Sequence, residues 1–220
     1  MPILTVDEAL DEIESTAIGS TGIESTDLTA PVRAVAPPAV RDVAAAARAA
    51  ADFLRALGVP LERDGLAGTP LRMAKAYAEL LTPQEFDVTT FPNDGGYDEL
   101  VLVRDIPFAS VCEHHLLPFV GRAHVGYLPG ERIVGLSKLA RLVELHARGA
   151  QVQERLTKQI ADWLDVNLDP RGVGVVIEAE HLCMTLRGVQ AAGTRTVTST
   201  LLGTLRADAR SRAEFLALVR

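Results

Sequence analysis

Cysteine is scarce in this chain: 220 residues hold two, Cys112 and Cys183, and no Cys-x-x-Cys pair. That excludes a disulfide framework and the paired-cysteine zinc motifs. The first residues, MPILTVDEALDEIES, lack the basic start and apolar run of a secretory signal. No apolar stretch approaches the roughly 20 residues of a membrane span, so a cytoplasmic protein is expected. A P-loop and a Gly-rich dinucleotide fingerprint are also missing, and a nucleotide would have to be held some other way. The net charge of −7 is local, because residues 1–40 carry seven acids against Arg33 alone. The nearly neutral remainder offers no electrostatic footprint for nucleic acid.

What is present is an ordinary globular composition, 48% hydrophobic and 23% charged, with material for one domain. Residues 1–40 read as an acidic, disordered tail without aromatics, in which a short helix over Val6–Ile13 is conceivable. Residues 41–99 read as a helical region and a loop. The first helix runs from Arg41 and stops at Gly58; the second has Thr69 as N-cap and Pro70 in its first turn. Residues 83–99 read as loop. Residues 100–220 read as one α+β domain, expected to be the catalytic one. There a strand over Leu100–Arg104 leads to Cys112, and a hairpin turns at Pro129-Gly130. A helix capped by Ser137 ends at Gly149, and a second is stopped by Asp169-Pro170. Strands over 172–181 and 194–206 follow, and Ser211-Arg212-Ala213-Glu214 announces a last helix as a capping box. Strands, two helices, then strands make an α+β class.

The chemistry-bearing residues cluster. Cys112-Glu113-His114-His115 is answered by His181-Leu182-Cys183. Thiolate and imidazole suit zinc, and three protein ligands with an open fourth position mark a catalytic site. If Cys112, His115 and Cys183 meet, the open position can hold a water acidified toward neutral pH. His114 and His181 flank these ligands and have the pKa range for proton transfer. Ser137-Lys138-Leu139-Ala140-Arg141 opens a helix with a hydroxyl, free N–H groups and two cations, a combination that favours phosphate. Glu154, in Gln151-Val152-Gln153-Glu154-Arg155, is a carboxylate able to read the adjacent N–H donors of guanine, and Arg187 lies four residues beyond Cys183.

The runs SVCEHHLLPFVGRAHVGYLPGERIVGLSKLARLVELHARGAQVQERLTKQIADWL, GVGVVIEAEHLCMTLRGVQ and TVTSTLLGTLR, with TPLRMAKAY upstream, closely resemble the GTP cyclohydrolase I family over roughly residues 41–220. The resemblance implies a T-fold (tunnelling fold) built of ββααββ units preceded by N-terminal helices. It further implies a homodecamer with active sites between subunits, and conversion of GTP to 7,8-dihydroneopterin triphosphate with release of formate. Residue by residue, it implies Cys112, His115 and Cys183 as Zn2+ ligands and His114 and His181 as acid–base groups. Gln153 and Glu154 match the guanine-anchoring segment. Ser137, Lys138, Arg141 and Arg187 match groups around triphosphate and ribose, Ser137 also serving in the later rearrangement. Arg72 and Lys75 are expected to add cations from a neighbouring subunit.

Three other readings bear on the same residues. A zinc deaminase would need the absent Cys-x-x-Cys. A T-fold relative acting on pterin or deazapurine substrates would not need the zinc set together with Lys138 and Arg141. A structural-zinc module would close its site with a fourth protein ligand.

Overall fold

A computed structural model of the chain describes residues 31–32 and 41–220, and the helix considered over Val6–Ile13 lies outside them. Strands β4 (Val101–Cys112), β5 (Pro118–Leu128), β8 (Gly172–His181) and β9 (Thr196–Leu202) form an antiparallel sheet. The short β7 (Ala150–Gln151) adds in parallel beside β4, giving the order β7-β4-β5-β8-β9. Two helices cover one face, α3 (Leu136–Ala147) and α4 (Gln153–Leu168). Both present apolar side chains at helical spacing: Leu139, Leu142 and Val143 on α3, and Leu156, Ile160 and Leu164 on α4, all fully buried. These side chains pack on Ala123, Val125, Tyr127, Val175 and Ile177 of the sheet.

The opposite face is closed at one end by α6 (Gly203–Ala207) and α7 (Ala209–Leu218), whose Phe215 is fully buried. Phe215 explains Gly174 in the middle of β8. A Cβ at Gly174 would lie 2.7–2.9 Å from the Phe215 ring, so the glycine makes the room in which the aromatic seats. Because helices cover both faces of β8, its sequence is a near-continuous apolar run rather than an alternation.

Ahead of the sheet, α1 (Val43–Ala56) and α2 (Thr69–Leu80) follow one another in the chain. Asp42 caps α1 by accepting from the Ala45 N–H. Two small sheets complete the fold: β1 (Pro31–Val32) with β2 (Phe86–Asp87), and β3 (Thr90–Pro92) with β6 (Arg132–Val134). Residues 83–99 therefore contain strands where a loop was expected. The strand expected over Leu100–Arg104 is twelve residues long and runs into Cys112 itself, with a bulge between Val103 and Ile106 where Asp105 adopts φ 57°.

The Pro129-Gly130 hairpin does not form. β5 and β6 do not pair; the turn is docked on the chain after α4, where Arg171 donates from N to Leu128 O and from Nε to Pro129 O. Asn93 takes the other side, donating to Gly130 O, and steers β6 toward β3. Caps were also misassigned by sequence. Gly68 rather than Thr69 precedes α2, Gly135 rather than Ser137 precedes α3, and Asp208 caps α7 through the N–H groups of Arg210 and Ser211. The segment after Leu202 leaves the strand because Gly203 takes φ 55° against Arg171 O, and this turns Leu205 into the interior.

His146, near the end of α3, has a buried Nε2 with no hydrogen-bond partner among the described residues. Burial lowers its pKa to about 4 from the ordinary imidazole value. The unfolded chain therefore binds a proton that the native state refuses, and stability is lost as pH falls from about 6.5 toward 4. Denaturant titrations across this window should show a loss of about 2–3 kcal/mol attributable to His146, and His146→Leu should flatten that slope.

Candidate active site

Cys112 is the last residue of β4, and the chain reverses immediately after it. The Cys112 carbonyl accepts from Leu116 N at 2.8 Å and from His115 N at 3.3 Å, while Cys112 N donates back to Leu117 O at 2.9 Å. Leu116 adopts φ 51° to close the turn. Glu113 N donates to Gln151 O at 3.0 Å, which joins the turn to β7. From across the sheet, β8 ends at His181 opposite Phe119, and Cys183 follows in the single-turn helix α5 (Leu182–Thr185).

Two strands away in the sheet and 71 residues apart in sequence, the sulfurs of Cys112 and Cys183 lie 3.9 Å from each other. A disulfide would need about 2.05 Å, and both thiols are free. His115 Nδ1 is 4.0 Å from Cys112 Sγ, and one ligating atom from each of the three residues lies within 4.8 Å of the other two. Tetrahedral zinc with bonds of about 2.3 Å to sulfur and 2.0–2.1 Å to nitrogen sets its donors about 3.6–3.8 Å apart, so the spacing fits a small cation between them. Burial, then the neighbouring Cys112 sulfur, push the Cys183 thiol up; a cation between the two sulfurs reverses that pressure. The convergent set contains three residues, with both cysteines buried and His115 exposed.

The turn has an outer brace that the motif reading missed. Arg155 reaches from α4 to the Glu113 carboxylate, and donates to Gln151 Oε1 at 2.9 Å and Ala150 O at 3.1 Å. This guanidinium holds the Glu113 carboxyl below the usual carboxylate range. Gln151 itself donates to His146 O and Gln159 Oε1. Tyr77 of α2 adds a bond from its hydroxyl to Leu116 O at 2.9 Å. The spacing of Glu113 and Arg155 carried no signal because their pairing depends on the β4–β7 register.

His181 stacks on Phe119 with ring centroids 4.5 Å apart and 4° between planes. Burial pulls its pKa below the ordinary imidazole value, and the Glu154 carboxylate pulls part of the way back. His114 is exposed, with Nδ1 3.7 Å from Cys112 Sγ. Glu154 and Arg187 are also exposed, and Arg187 is close enough to oppose the rise in the Cys183 pKa. Gln153, expected beside Glu154 at a base edge, is instead 1% exposed, and both of its amide hydrogens point at protein acceptors.

The chain therefore gathers Cys112, His114, His115, Gln153, Glu154, His181, Cys183 and Arg187 at one end of the sheet. Ser137, Lys138 and Arg141 are not gathered with them. They occupy the first turns of α3, whose last turns abut β7 and Cys112 through the Gln151–His146 bond. About 15 Å of helix separates Ser137 from Ala147. Arg72 and Lys75 are exposed on α2, and Arg72 donates to Gly65 O and Thr69 Oγ1 of its own segment.

The family model of GTP cyclohydrolase I matches residues 46–220. This chain belongs to the GTP cyclohydrolase I family. It is 53% identical over 168 residues to GTP cyclohydrolase 1 of Aquifex aeolicus (strain VF5), covering 76% of this chain and 91% of that protein. Identity to the Rattus norvegicus GTP cyclohydrolase 1 is 51% over 178 residues, covering 79% and 74%. For that of Thermobifida fusca (strain YX) it is 52% over 177 residues, covering 78% and 86%. The GTP cyclohydrolase I family is zinc-dependent, and the Cys112–His115–Cys183 cluster suits that ion.

Loss of the brace should be felt at the ligands before it is felt in the fold. Arg155→Ala is expected to weaken zinc affinity about 10-fold or more, measured by competition with a chromogenic chelator. The thermal midpoint of the zinc-free protein should move little, because the Glu113–Arg155 pair is largely exposed.

Proposed function

We propose that this GTP cyclohydrolase I family member converts GTP to 7,8-dihydroneopterin triphosphate, with release of formate, at the Cys112–His115–Cys183 centre. The observation that carries the reading is the convergence of these three ligating atoms within 4.8 Å beside a stacked, half-buried histidine. Zinc held there would supply a Lewis acid and an acidified water for the hydrolytic steps. The remaining work falls to the chain's own side chains. Glu154 accepts from the ring N–H and exocyclic amine of guanine and so orients the purine. Lys138, Arg141 and Arg187 hold the triphosphate, with Arg72 and Lys75 adding positive charge.

His114 or His181 delivers a proton to the five-membered ring of the purine, which makes its C-8 carbon electrophilic. Water adds at C-8 and the bond from C-8 to the ribose-bearing nitrogen breaks, leaving a formamide on the other ring nitrogen; a second water cleaves that formamide and releases formate. The freed amine then supports rearrangement of the ribose and ring closure, proton transfers for which Ser137 and His181 are the assigned groups.

The separation of the Lys138 end of α3 from Cys112 supports a site shared between subunits, in which a neighbour's Ser137, Lys138 and Arg141 complete the pocket. A homodecamer of T-fold ββααββ units, with residues 100–220 as the catalytic domain and 41–99 as the helical region, accommodates that sharing. A cytoplasmic location is part of the same reading, because the GTP substrate is available there. No described helix is long and apolar enough to cross a membrane.

Purified protein with GTP should release formate, lose that activity on chelation and regain it with zinc. No formate from folded, zinc-loaded protein would end the assignment. His114→Ala should keep stoichiometric zinc while formate release falls about 100-fold or more; full activity in that variant would remove His114 from the mechanism.

A further inference from the structure

The Gln153 amide sits where its orientation is forced. Its nitrogen lies 3.1 Å from Ile177 O, 2.9 Å from Thr196 O and 3.2 Å from Thr198 Oγ1. Backbone carbonyls only accept, so the NH2 end must face them; the flipped amide would set oxygen against two oxygens. The neighbouring hydroxyls agree. Thr157 Oγ1 donates its one hydrogen to Gln153 O at 2.7 Å, so across the 2.6 Å Thr157–Thr198 contact Thr198 must be the donor. That leaves the Thr198 oxygen free to accept from Gln153. The two amide hydrogens are shared among three acceptors, and all three hold the NH2 end on the same side.

The remaining Gln153 atom, Oε1, lies 2.8 Å from His181 Nε2. An amide oxygen accepts only, so Nε2 must carry the hydrogen. The Phe119 stack fixes the plane of the ring, and among the described residues Nδ1 has no hydrogen-bond partner. We propose that Gln153 is a positioning residue that locks His181 in the Nε2–H tautomer and leaves Nδ1 as the ring atom turned away from the glutamine and open to substrate. The residue neighbouring the guanine-reading Glu154 in sequence thus serves the imidazole rather than the base. This inference deepens the assignment of His181 to proton transfer and rests on it.

Two measurements test it. In wild-type protein labelled with 15N-histidine, with the His181 signals assigned by difference from His181→Asn, Nε2 should carry a proton in the neutral ring as well as in the cation. A neutral ring with its proton on Nδ1 instead of Nε2 would overturn the lock, whatever the substrate. In zinc-loaded Gln153→Met, kcat for formate release should fall about 100-fold while KM for GTP stays within about threefold, since no contact to the base is lost. A raised KM with kcat retained would show Gln153 to be a guanine contact and overturn the proposal. Absence of formate release by the wild type, with Nε2–H in place, would strike the GTP assignment alone.

Discussion

The antiparallel register between β5 and β8 is the constraint on which the site depends. Its ten pairs run from Leu128 opposite Gly172 to Phe119 opposite His181. At the closed end it seats Gly174 beneath Phe215; at the open end it sets His181 on the Phe119 ring and carries Cys183 to Cys112. A slip of one residue would turn the buried row Ala123, Val125 and Tyr127 toward the other face. The same slip would move Cys183 away from Cys112. Core packing and ligand geometry are therefore two readings of one set of backbone hydrogen bonds, and the hydrophobic pattern that selects the register also selects the metal site.

Much of the site was legible in the sequence because its chemistry is carried by rare residue types. Two cysteines, each near histidine, leave few alternatives, and the structure places them together. β8 was legible over its full length, since an apolar run from Gly172 to Ile177 passes into an alternation that ends at His181. What escaped were features set by partners distant in the chain. Nothing near Pro129-Gly130 reveals that Arg171 and Asn93 hold the turn and send β6 to β3. Nothing in GTLR reveals that Gly203 will bend against Arg171 O. The capping residues were misplaced by one to three positions for a simpler reason: α2 and α3 begin after glycines that offer no side-chain acceptor, and at α7 only the backbone decides that Asp208 rather than Ser211 accepts.

The distribution of charge along the site follows from the elements that carry it. The sulfur and imidazole donors and the Glu154 carboxylate stand at the ends of β4 and β8 and at the start of α4, where the sheet and its helices leave an edge. Lys138 and Arg141 ride on the far end of α3. One chain therefore separates the groups suited to the base from those suited to the phosphates by about the length of a helix. Glu113 lies between Cys112 and His114, yet Arg155 claims its carboxylate, so this acid does not compete for the cation.

Gln153 spans two strands as well as the imidazole: Ile177 belongs to β8, Thr196 and Thr198 to β9. A chain that has not yet zipped β9 lacks two of the three acceptors, and its glutamine is held toward the sheet by Ile177 O alone. The orientation of the imidazole is thus set by the strand that joins the sheet last in the sequence, so the edge strand β9 reaches the site without contributing a residue to it.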